Sequence, residues 1–239
     1  MVKSWHHGLI VSCQSEGDDP FNTPDGVALF ARAAEMGGAC AIRSQGIEKT
    51  RRIMERVGLP VIALLKSAFA DGRVCITREW QGILALRDLK PAMIAVDGTR
   101  RVHEGVSGPA LIRRIKTELG ISVMADIALE SEAEKCAEAG ADCISTTLLG
   151  YTPETCHRTI HSPDLELIHR ISSSLAPLPV IAEGHIATPD QAAACIQAGA
   201  WAVVVGTAVT RPRVMVNRYC EAIRTLSSIP SHPAHSVNL

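Results

Sequence analysis

Rings are scarce in this chain: three Phe, three Trp and two Tyr make up 3% of its 239 residues. A core with so few aromatics must be filled by Val, Ile, Leu and Ala, the side chains that fill parallel barrels. Surplus charge is missing too. A net charge of -1 and a pI near 6.7 leave no basic face for nucleic acid or anionic lipid, so neither partner is expected. Long apolar runs are absent: GLIVSC near the start is too short for a secretory h-region, and nothing reaches membrane-spanning length. The eight cysteines form no CxxC pair and no close Cys/His cluster, which points to reduced thiols in a cytoplasm rather than disulfides or zinc. No HxH or HExxH occurs among the nine histidines, so no metal or other cofactor is expected.

What the chain does have is a repeated boundary. Gln14 closes GLIVSCQ, Arg43 closes ACAIR, Lys66 closes LPVIALLK, Asp126 closes ISVMAD and Glu183 closes LPVIAE. With PAMIAVD, ADCISTT and AWAVVVG, eight apolar runs alternate with helical periods placed at 24–36, 46–57, 79–89, 107–118, 130–139, 164–174, 189–198 and from Pro212 onward. FADGRVCITREW reads as a turn with a short extra strand. AAEMGGACAIR, CAEAGADCISTT and CIQAGAWAVVVG each close a helix on Gly and enter a strand within one or two residues, a helix-to-strand corner repeated. This α/β alternation predicts parallel strands with right-handed crossovers. The length suits one (β/α)8 barrel domain over 1–239, with an irregular tail from about 227. An open doubly wound sheet shares the alternation, although no GxGxxG follows the first strand.

Barrels place their chemistry at the carboxyl ends of the strands, so the polar residues there are the candidates. Lys66 either reaches the pocket, where partial desolvation beside Arg43 would leave neutral amine to act as a base, or forms a structural salt bridge to Asp97 or Asp126. Glu183 can carry a raised pKa and donate a proton, or it can anchor Lys66 or a helix start. Asp97 is as readily a loop tie as a reactive group. Gly184, after the seventh strand, and Gly206-Thr207, after the eighth, fit a backbone phosphate cradle, with His185 beside it and Arg211 able to add charge. His103, His157 and His161 lie in loops that can reach the same face, whereas His6, His7, His169, His232 and His235 read as bland. A lysine and a carboxylate facing one pocket suggest proton transfer on a small anionic substrate.

The motifs themselves carry a likeness. GLIVSCQ, AIR, the strand-ending Lys66, AVDGTRR, MADI, ISTTLLGYTPET, PVIAEGHIATP and AWAVVVGTAVTRP together resemble the bacterial N-acetylmannosamine-6-phosphate 2-epimerases, from about residue 8 to residue 220. The resemblance implies a metal-independent, usually dimeric (β/α)8 barrel of sialic acid catabolism. It implies Lys66 and Glu183 as the acid/base pair, with Gln14, Arg43 and Asp126 lining the sugar site. This chain departs from the family pattern in having Ser67 after the lysine and His185 after AEG, where arginine is common. It also has Ala128 where Ser or Thr is frequent, and VHEGVSG in place of a proline-rich segment. A metal-dependent pentose-phosphate 3-epimerase would want His and Asp at strand ends that here hold Arg43 and Lys66. A non-catalytic sugar-phosphate binder would be expected to lack the lysine or the glutamate, and both are present.

Overall fold

The structure is a computed structural model and describes residues 2–158 and 160–227. The eight apolar runs form β1 (Gly8–Cys13), β2 (Ala41–Gln45), β3 (Val61–Leu64), β4 (Met93–Asp97), β5 (Val123–Asp126), β6 (Cys143–Ser145), β7 (Val180–Glu183) and β8 (Ala202–Val205). All pair in parallel, and the sheet closes in the order β1-β8-β7-β6-β5-β4-β3-β2. Closure excludes the open doubly wound alternative. Between and after the strands run α1 (Pro24–Met36), α2 (Ile47–Met54), α3 (Trp80–Asp88), α4 (Gly108–Glu118), α5 (Glu130–Glu138), α6 (Leu165–Ser174), α7 (Pro189–Gln197), α8 (Thr207–Thr210) and α9 (Pro212–Ser227). The expected short strand after β3 is a hairpin, Lys66–Ala68 against Val74–Ile76. The tail with His232 and His235 lies outside the described residues.

Local chemistry explains the helix starts. Thr23 caps α1 by accepting from the Gly26 amide, with Pro24 in the first turn. Thr188 and Gln191 form a reciprocal capping box on α7, and such a cap contributes about 1 kcal/mol. Gly199, in one of the repeated corners, sits at φ 105°, open to glycine and strained for any L side chain.

Alternation along each strand sorts the core into two shells. Ile10, Ala41, Ile62, Leu64, Met93, Ala95, Met124, Cys143, Ile181 and Val204 form one buried cluster with Trp5, all within 2% exposure, and fill the barrel interior. The intervening residues, such as Val11, Ile42, Ala63, Val96, Ala125 and Val203, belong to clusters shared with the helices. Carried two residues onward, the interior register reaches Ser12 from Ile10, Arg43 from Ala41, Asp126 from Met124, Ser145 from Cys143 and Glu183 from Ile181. The polar floor of the site is therefore the last layer of the barrel's interior.

Candidate active site

A cavity of about 690 Å³ opens at the carboxyl end of the barrel. Its wall takes in Gln14, Arg43, Lys66, Glu183, Gly184, His185, Gly206, Thr207 and Arg211, so nine of the ten residues singled out from the sequence converge there. Asp126 does not reach the wall. It is fully buried beneath Arg43 and holds the guanidinium.

Arg43 is 1% exposed and meets two carboxylates. Asp126 receives both terminal nitrogens, at 2.9 and 2.5 Å. Glu183 lies 2.8 Å from the nitrogen nearer to it. The Thr147 hydroxyl, in the turn after β6, spans the pair, donating to Asp126 at 2.8 Å or to Glu183 at 3.1 Å. One cation between a buried and a largely buried carboxylate leaves a negative excess that is poorly solvated. Burial therefore pushes the Glu183 carboxyl above its ordinary range; Arg43 and the Thr147 hydroxyl oppose that rise, and Asp126 adds to it. Burial disfavours the Arg43 charge, yet Asp126 and Glu183 outweigh it and hold the guanidinium above its usual value. Glu183 is placed by its strand backbone as well, whose N–H and C=O both bond the Thr146 hydroxyl.

Lys66 stands in a different environment. Continuing the Ile62–Leu64 alternation, it opens the hairpin, whose base is tied where the Leu65 and Thr77 backbones and the Thr77 hydroxyl bond each other. Its partner is neither Asp97 nor Asp126 but Glu16, in the loop after β1, at 2.5 Å. Both expected aspartates are already engaged: Asp126 by Arg43, and Asp97 by the Thr99 amide and hydroxyl and by Arg101. Asp97 is thus the loop tie. Arg101 also lies over the Phe69 ring at 4.2 Å and donates to the Val74 carbonyl, which pins the lysine-bearing hairpin to the end of β4.

At the other end, Gly184 (φ 102°) and His185 (φ 58°) turn the chain sharply after β7. A non-glycine residue in the left-handed region carries strain of about 1 kcal/mol or more, which such sites retain when the surroundings fix it. Here the ring Nε2 lies 3.2 Å from the Leu149 carbonyl, and the imidazole stacks on Tyr151. Gly206 precedes the short helix α8, and a Cβ there would lie 3.3 Å from that of Ser12. Loops after strands seven and eight, joined by a short extra helix, are where barrels commonly take phosphate. Of the other histidines, His161 lines the cavity, whereas His103 packs edge-on to Phe69 away from it and His157 is exposed. Ser67 is exposed on the hairpin and Ala128 is buried, its amide bonded to Glu132.

Thr147, Arg218 and Glu16 are among the lining residues that had no reading from the sequence. Thr147 lies within ISTTLLGYT, and a hydroxyl just past a strand end was the available signal. Arg218 belongs to α9 and Glu16 to an irregular acidic loop, where no periodicity marks a residue as facing inward.

Residues 27–225 match the family model described as "Putative N-acetylmannosamine-6-phosphate epimerase". The chain belongs to that family. Relatives named "Putative N-acetylmannosamine-6-phosphate 2-epimerase" include one from Clostridioides difficile, 41% identical over 90% of this chain and 95% of its own length. Another, from Cutibacterium acnes, is 39% identical over 94% and 97%. The solved N-acetylmannosamine-6-phosphate 2-epimerase of Clostridium perfringens superposes with a TM-score of 0.85 at 34% identity, covering 92% of this chain and 95% of that one.

Proposed function

We propose that the protein interconverts N-acetylmannosamine 6-phosphate and N-acetylglucosamine 6-phosphate by removing and returning the proton at C2, as one barrel domain acting in cytoplasmic sialic acid breakdown. The observation that carries the reading is the placement of Lys66 and Glu183. They follow β3 and β7, which lie four strands apart around an eight-stranded closed barrel, so a lysine and a carboxyl face one cavity from opposite walls.

The C2 proton becomes acidic only when C1 is a carbonyl, so the open-chain aldehyde is the reacting species. Lys66 takes the proton as neutral amine, and the C–H electron pair moves into the enolate oxygen. Arg43 and Gln14 face that oxygen with charge and a donor amide. Glu183, its proton retained by burial in an anion-rich floor, delivers that proton to the opposite face of C2. The phosphate binds at Gly184, His185, Gly206, Thr207 and Arg211, remote from C2, and holds the reacting carbon in register between the two walls. Reversal exchanges the two roles.

The testing experiment is incubation of the pure protein with N-acetylmannosamine 6-phosphate, followed by NMR. The gluco epimer should appear, and an unchanged spectrum would refute the proposal. A homodimer belongs to the same reading. Helix α9 packs chiefly on α8 and leaves Val216 and Tyr219 57% and 68% exposed one turn apart, a face suited to a second copy. Light scattering should give twice the chain mass, and V216E with Y219E should give the monomer.

A further inference from the structure

Glu16 joins two parts of the site that the reaction uses separately. One carboxylate oxygen lies 2.5 Å from Lys66 Nζ, and the other lies 3.2 Å from an Arg211 nitrogen. All three side chains line the cavity, and among the described residues neither cation has another ion-pair partner. Lys66 is the proposed base and Arg211 stands at the proposed phosphate end, just after α8. The other charged groups here are Glu183 from β7, Arg43 on the floor, Arg218 from α9 and Lys49 from α2. Lys49 is itself bonded to the Ser15 carbonyl and Asn22.

We propose that Glu16 is a specificity-determining residue: it clamps Lys66 to Arg211, and a phosphate-bearing sugar is what parts them. The inference rests on the proposed function above. A phosphate dianion carries more charge and more acceptor oxygens than a carboxylate, so it wins the guanidinium of Arg211. Glu16 then loses one of its two cations and is repelled by the dianion. What remains is a single half-exposed ion pair, which is weakly held; Lys66 parts from it, gives its own ammonium proton to solvent, and then meets the C2 proton as amine. A sugar without phosphate leaves both contacts in place. Binding of a remote group is thereby converted into availability of the base.

The test measures turnover of free N-acetylmannosamine with and without inorganic phosphite, in the wild type, E16Q and E16D. Wild type should be slow alone and activated by phosphite. E16Q should be about fivefold faster than wild type without phosphite, the size expected for a half-exposed ion pair, and should gain less from its addition. E16D should restore the phosphite response in part. Phosphite activation of wild type that is equal in E16Q would overturn the proposal. Phosphite failing to activate wild type that turns over the phosphorylated sugar would refute the phosphate placement, and the coupling with it. Wild type inert toward the phosphorylated sugar would instead refute the proposed function.

Discussion

The two walls of the cavity are built to different standards. On the β7 side, Glu183 rises from a barrel strand, bonds Arg43 and Thr147, and shares a floor in which Arg43 and Asp126 are at most 1% exposed. On the β3 side, Lys66 leaves the barrel on a short hairpin, 32% exposed, and its partner Glu16 sits in a loop at 45%. The carboxyl is therefore set by electrostatics that little solvent screens, and the amine by contacts that a ligand can rearrange. The two-base epimerisation proposed above would use that asymmetry: a proton held on Glu183 needs a fixed environment, and the amine of Lys66 needs a partner it can leave.

The largest effect should come from removing either wall. Lys66→Ala should abolish epimerisation in both directions, since reversal still needs both groups; a fall of about 10⁴-fold is the scale of a lost general base. Glu183→Gln should block epimerisation equally while leaving slow exchange of the C2 hydrogen with heavy water, because Lys66 can abstract and return a proton on its own face. NMR of substrate and product separates the two variants. Direct carry-over of the C2 hydrogen into the wild-type product would break the two-wall assignment.

Stability should divide along the same line. Asp126→Ala strips a fully buried guanidinium of its bidentate partner, and breaking a buried pair in this way costs about 3–5 kcal/mol. Glu16→Gln breaks half-exposed pairs worth less than about 1 kcal/mol. Urea unfolding of the two variants should show a large drop in midpoint for the first and almost none for the second. Equal drops would mean that the Glu16 clamp supports the fold as well as the site.

The same division governs what was legible in the sequence. Arg43, Asp126 and Glu183 each close an apolar run in the interior register, Asp126 and Glu183 as the last residues of their strands, so period-two alternation was enough to bring them to one end of the barrel. The helix-to-strand corner at Gly199 was equally readable, because turn chemistry is local. Partners were not. For Lys66 the alternative to a pocket base is a salt bridge to Asp97 or Asp126, the carboxylates with a strand-end signature; it pairs with Glu16, which has none, because loop conformation rather than periodicity sets that contact. Asp126 showed its position in the sequence and hid its depth: whether a strand-end carboxylate faces the ligand or the layer below depends on the arginine across the barrel.

The smallest predicted effect probes the fixed wall without dismantling it. Glu183 donates only while protonated, so kcat/KM should fall as pH rises through its elevated pKa, forming the alkaline limb of the profile. Burial raises that pKa most, Asp126 adds to it, and the Thr147 hydroxyl, by bonding the carboxylate, lowers it. Thr147→Val keeps the shape and removes the hydroxyl, so the ionised form of Glu183 loses a donor and the alkaline limb should move to higher pH. The rest of the profile should stay where it is, because Thr147 bonds nothing on the opposite wall. Movement of both limbs together would show that the walls titrate as one unit, and movement of the alkaline limb to lower pH would show that the hydroxyl serves the protonated acid instead.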